Sequence, residues 1–310
     1  MAKALASVII DAPVEAVWDI VRDFSALPGW VPGLGPCHIE GGLRPDVVGC
    51  VRVFSLGDGT PVSERLTMLD DSRYTFAYTF VVPCFPVQDY HATLQLIPVT
   101  SGDRTFAQWS AEFEERPDDR GKYERIISDN VFAAGLAALG ERARGQTAPA
   151  GAVRWKGARP AKVFCSSVLP VPVDAVWAVM RDFASMADWH PDLTDMHMLD
   201  GASSDQVSGV RDFRLRDGRL QEQLTLLCDR TRAFRYKINA SPMPWLNYHA
   251  GARLYPVTAT DTTFAIWTAD WVASANDDVG LIPLVHERVF QLAFDTLGSQ
   301  LMRQGKVQEL

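Results

Sequence analysis

Two glutamates, Glu64 and Glu222, carry the strongest chemical signal. Each lies in a strand-like run whose alternate residues are apolar, Glu64 sharing a face with Leu66 and Met68. A carboxylate on such a face loses hydration, which raises its pKa toward a range useful for moving protons. Tyr90 and Tyr248 belong to similar faces, and a phenol beside a carboxylate can polarise a carbonyl. His190, in Trp189-His190-Pro191, is a fifth candidate, a general base near a cavity mouth. Each has a structural reading as well. The glutamates can pair with Arg52 and Arg211, since buried charges persist mainly when paired. His190 can be a solvent-exposed loop histidine.

Alternation sorts the neighbouring side chains. Phe76, Tyr78 and Trp109 fall on the apolar face, and so do Phe234, Tyr236 and Trp267. With Trp30, Trp189, Arg52 and Arg211 they are candidate ligand contacts. Trp30 and Trp189 either gate a cavity or plug a core. His91 and His249 alternate to the opposite face, and a bulge would turn them inward to a ligand.

These residues recur because the chain repeats itself. Trp18, Asp23, Phe24, Trp30 and Pro32 fall on Trp177, Asp182, Phe183, Trp189 and Pro191, 159 positions later. After Gly59 the separation is 158, as in Tyr90-His91-Ala92 and Tyr248-His249-Ala250. A single-residue gap at a glycine-rich turn is how a duplicated fold tolerates drift. Within a copy, a short strand leads to a helix over 14–24, with Pro13 in its first turn and Asp11 able to cap it. Strands follow at 51–56, 62–69, 73–82, 88–98 and 104–114, then a long helix over about 119–144. This predicts an α+β protein of two tandem helix-grip domains. Each is a curved antiparallel sheet wrapped around a long C-terminal helix, with a cavity between them. The expected limits are 1–145 and 161–310, joined by a linker at 146–160 on which Trp155 is expected to rest against one domain.

The strings AVW…RDF…W.P, VR.F.L.DG, E.LT.L, YHA and TFA.W, present in both copies, resemble the START, birch-pollen-allergen and polyketide-cyclase (SRPBCC) superfamily, in particular its bacterial polyketide cyclase/dehydrase branch. The resemblance spans nearly the whole chain outside the linker. It implies the helix-grip fold and a small-molecule role. The superfamily hosts cyclases, dehydratases, hydrolases, lipid carriers and hormone receptors, including two-domain aromatase/cyclases.

The 310 residues carry a net charge of −8 and no cluster of Lys and Arg with aromatics, so nucleic acid is not expected as a partner. No 18-residue apolar run and no signal-peptide core occur. The five cysteines are irregularly spaced without CxxC, which suits reduced thiols, a cytoplasmic location and no metal. The resemblance and the apolar faces together imply three possible functions. One is a cofactor-independent enzyme that acts on a small apolar or aromatic, polyketide-like substrate by cyclisation, dehydration or related lyase or hydrolase chemistry, using acid/base residues. Another is a carrier or sensor of such a molecule. The last is a scaffold of packed copies. A homodimer stays open.

Overall fold

The computed structural model describes residues 1–147 and 161–308. Trp155 and the central linker lie outside the described residues. The chain forms two compact units with one plan.

In the first, β1 (Ala2–Ile10), helix α1 (Val14–Val21), β2 (His38–Ile39), β3 (Val51–Ser55), β4 (Pro61–Asp70), β5 (Thr75–Val82), β6 (Gln88–Val99) and β7 (Arg104–Glu114) precede a long C-terminal helix. The strands form one seven-stranded sheet in the order β1-β7-β6-β5-β4-β3-β2. The C-terminal helix begins at Lys122–Arg125 (α2), passes through a π-helical segment, Ile126–Ala133, and ends as Ala134–Ala143 (α3).

The second unit repeats this with β8 (Val163–Leu169), α4 (Val173–Met180), β9 (Leu193–Met198), β10 (Val210–Leu215), β11 (Gly218–Cys228), β12 (Ala233–Ala240), β13 (Leu246–Val257) and β14 (Thr262–Val272). Its sheet has the same order, β8-β14-β13-β12-β11-β10-β9. Its long helix comprises α5 (Ala275–Pro283), a π segment at Leu284–Gln291 and α6 (Leu292–Gln308). The π segments occupy matching positions, and Phe132 and Phe290 within them stack on the inward-facing Trp109 and Trp267. Such segments recur at functional sites.

The apolar spacing of α1 packs Val14, Val17, Trp18 and Val21 into the core. Pro13 occupies its N-cap position, and Asp11 makes no cap bond. That corrects the expected cap: the fixed φ of proline orders the turn instead. The short edge strands β2 and β9 also escaped the sequence reading, because two to six mixed residues give no alternation.

The predicted inward face is buried: Phe76, Tyr78, Tyr90 and Trp109 in the first copy, and Phe234, Tyr236, Tyr248 and Trp267 in the second. Met68 departs from it. A register shift between Leu66 and Met68 breaks alternation, and Met68 is exposed.

Candidate functional site

Arg52 stands directly opposite Glu64 across β3 and β4, as Arg211 does opposite Glu222 across β10 and β11. Arg52 donates from Nε to Glu64 Oε2 at 2.6 Å and from Nη1 to the Phe24 carbonyl at 3.0 Å. Arg211 donates likewise to Glu222 Oε2 at 2.8 Å and to the Phe183 carbonyl at 2.6 Å. Each guanidinium also sits 3.9 Å from the ring centroid of Phe24 or Phe183. One arginine therefore neutralises the buried carboxylate and ties the loop after the first helix to the sheet. Burial raises the pKa of both glutamates, and the facing arginine opposes the rise.

The tyrosines gather beside these pairs. Ring centroids of Tyr78 and Tyr90 are 6.2 Å apart, and those of Tyr236 and Tyr248 are 6.5 Å apart. Burial pushes all four phenols far up, and nearby negative charge adds to the shift. They stay neutral hydrogen-bond donors at any working pH.

The copies differ around the inner tryptophan. Trp109 stacks on Phe132 at 4.9 Å, and its Nε1 donates to the Tyr78 hydroxyl at 3.0 Å. Trp30 packs 5.6 Å from Trp109, so it fills the core of the first copy. The stack needs Gly135, where a Cβ would lie 2.8 Å from Trp109 Cζ3. The second copy has Ala293 at the matching position. Trp267 still stacks on Phe290 at 4.9 Å, but its Nε1 makes no hydrogen bond.

In the second copy the sheet and the π segment enclose a cavity of about 30 Å³. Arg211, Glu222, Tyr236 and Tyr248 supply its polar wall. Leu193, Phe213, Leu215, Leu220 and Ile238 supply apolar wall, Val285 and Val289 the roof, and Met186 and Trp245 the remaining lining. As it stands, the space suits one or two waters. Bound organic molecules need hundreds of Å³, so a larger guest requires the roof to move.

His190 governs that roof. It is 1% exposed, which corrects the exposed-loop reading. Its Nε2 donates to the Val289 carbonyl at 3.1 Å, and its Nδ1 accepts from the Asp192 N–H at 3.2 Å. With both nitrogens engaged and the ring outside the cavity lining, His190 has no lone pair free to act as a base. It fastens the cavity mouth to the long helix, aided by Asp192, which meets Arg288 at 2.8 Å and Arg216 at 3.3 Å. The first copy has Val31 in place of His190.

We expect His190→Val to lower the stability of the second unit by about 1–2 kcal/mol, the loss of a buried hydrogen bond. Burial holds the imidazole below its ordinary pKa. The unfolded chain therefore binds the proton more readily, and stability falls as pH drops through the ordinary imidazole range. The variant should lose that part of the slope, as urea titrations across pH would show.

Other candidates stand apart. Trp189, 7% exposed, lines an open groove of about 500 Å³ with Asp188, Asp295, Thr296 and Arg303, rather than the cavity. His91 and His249 are exposed on the outer face. Strict alternation places Tyr90 and Ala92, and Tyr248 and Ala250, inward, so the histidines between them are not ligand contacts in this structure. Sequence reasoning missed Trp245 and the two aspartates that hold the first helices. Asp71 accepts from Trp18 Nε1 at 2.9 Å, and Asp229 from Trp177 Nε1 at 2.9 Å. Their recurrence 158 positions apart was the available signal. Among the described residues, no group of three or more His, Cys, Asp or Glu is placed to hold a metal. No helix there is long and apolar enough to cross a membrane.

Two seven-stranded sheets, each gripping a C-terminal helix over a buried arginine–glutamate pair, define a tandem helix-grip protein. The sequence profile described as polyketide cyclase / dehydrase and lipid transport matches residues 1–144 and 160–300. The chain belongs to that family. It is similar to the abscisic acid receptor PYL7 of Arabidopsis thaliana, at 29% identity over 92 residues, covering 29% of this chain and 42% of the receptor. The chain spans about half the length of the curated relatives it matches. Among solved structures, a Thermobifida fusca protein is 36% identical, covering 46% of this chain and 93% of its own, with a TM-score of 0.42. The di-domain ARO/CYC BexL from the BE-7585A biosynthetic pathway is 12% identical, covering 96% of this chain and 98% of its own, with a TM-score of 0.41.

Proposed function

We propose that the second copy binds a small apolar or aromatic, polyketide-like molecule and promotes its cyclisation or dehydration without a cofactor. The observation that carries this reading is the convergence of Tyr236, Tyr248 and the Arg211–Glu222 pair on one otherwise apolar cavity. The wall forces a flexible substrate into a reactive fold. Neutral tyrosine hydroxyls donate to a carbonyl as it gains charge. Family membership supports both the ligand class and the reaction class. The test is to incubate the full chain with a short poly-β-ketone thioester and follow product by mass. Cyclised or dehydrated product is expected above the uncatalysed rate. A carrier function is the second reading, favoured by the arginine that already occupies Glu222. It expects saturable binding with no turnover.

A further inference from the structure

Among the described residues, three buried side-chain atoms lack a hydrogen-bond partner: Asp212 Oδ1, Trp245 Nε1 and Trp267 Nε1. Asp212 Oδ1 is 2.6 Å from the Arg219 guanidinium, so its charge is met. The Trp267 indole is not among the side chains that line the cavity. Trp245 is different. It is 9% exposed, its ring lines the cavity, and its N–H is unmatched. A buried donor without an acceptor is unfavourable, and native proteins seldom leave one unexplained.

The frame around Trp245 is rigid and common to both copies. The backbone N–H of Trp245 donates to the Met243 carbonyl at 2.9 Å, and the backbone N–H of Val87 to the Phe85 carbonyl at 2.9 Å. The same turn thus carries valine in one copy and tryptophan in the other. The indole is braced 4.8 Å from Tyr248 and 5.8 Å from Trp271. The charged groups on the cavity wall already have partners. Arg211 and Glu222 bond one another, and Arg211 also donates to the Phe183 carbonyl.

We infer that the ligand of the second copy carries a hydrogen-bond acceptor, a ketone or ether oxygen on an apolar ring body, and that Trp245 Nε1 is the donor that selects it. This rests on the proposed binding role of the cavity. The oxygen satisfies the indole while the ring body covers the apolar wall. The first copy, with Val87 there, supplies no such donor.

The test uses two probes of nearly equal shape, 2-acetonaphthone and 2-isopropylnaphthalene, measured by equilibrium dialysis against the full chain. Trp245→Phe should weaken the ketone about tenfold, as expected for one hydrogen bond to a buried donor, and leave the hydrocarbon within about twofold. Replacing Trp245 by β-(3-benzothienyl)alanine keeps the ring outline and removes only the N–H. It should give the same selective loss, and it decides the matter if the phenylalanine variant folds poorly. Equal loss of both probes, or an unchanged ratio, overturns the inference and leaves the binding role standing. Failure of the unmodified chain to bind either probe at about 1 mM overturns the binding role, and the inference with it.

Discussion

Replacing Arg52 with methionine is expected to destabilise the first copy by about 3–5 kcal/mol, the cost of stranding a buried charge. Glu64 is 5% exposed and directly opposite Arg52 in the sheet. Removing the guanidinium leaves burial alone to act on the carboxyl, so its pKa in the folded state rises further. The folded state then holds a proton that the unfolded state releases, and stability falls as pH rises above the unfolded carboxyl value. The deficit is therefore expected to be larger at pH 8 than at pH 5. The double change Arg52→Met with Glu64→Leu should recover most of the loss, because an apolar pair of similar volume replaces a buried ion pair at little cost. Urea unfolding of the full chain checks this through the transition of the first copy. A deficit under about 1 kcal/mol would mean that Glu64 finds water or another partner.

Tyr248→Phe is expected to lower turnover of a poly-β-ketone thioester by about 10²-fold, the usual consequence of losing one preorganised donor. Tyr248 is buried among Trp245, Trp271 and Tyr236. Burial holds its phenol neutral, with neighbouring negative charge adding to the shift. The variant keeps the ring and its packing, so probe binding should change by less than about threefold. An equal loss in binding and turnover would make Tyr248 a ligand contact only. The same loss from Tyr90→Phe, and not from Tyr248→Phe, would move the chemistry to the first copy.

The duplication and the strand order were legible because they are written in repeated residues and strict alternation. Arg52, Glu64, Tyr90 and Trp109 faced inward as expected because the pleat has a period of two and one face is buried. Met68 failed that rule at a bulge, which leaves no mark in composition. His190 was legible as a residue and not as a contact. Its partner, the Val289 carbonyl, is backbone on a distant helix. Trp245 stands where the first copy has Val87, but an unmatched N–H shows itself only once its neighbours are in place. The π segments escaped because each is only 8 residues long, too short a run for a changed helical period to show in the apolar spacing.

On the proposed reading, the second copy holds a small apolar or aromatic molecule between its sheet and its π segment. The most direct measurement is a crystal structure of the full chain soaked with 2-acetonaphthone. Density is expected between Tyr248 and Val289, with the roof displaced from its present position and the ketone oxygen within hydrogen-bonding distance of Trp245 Nε1. Ligand density only in the first copy, or a second cavity still closed at saturating probe, would contradict it.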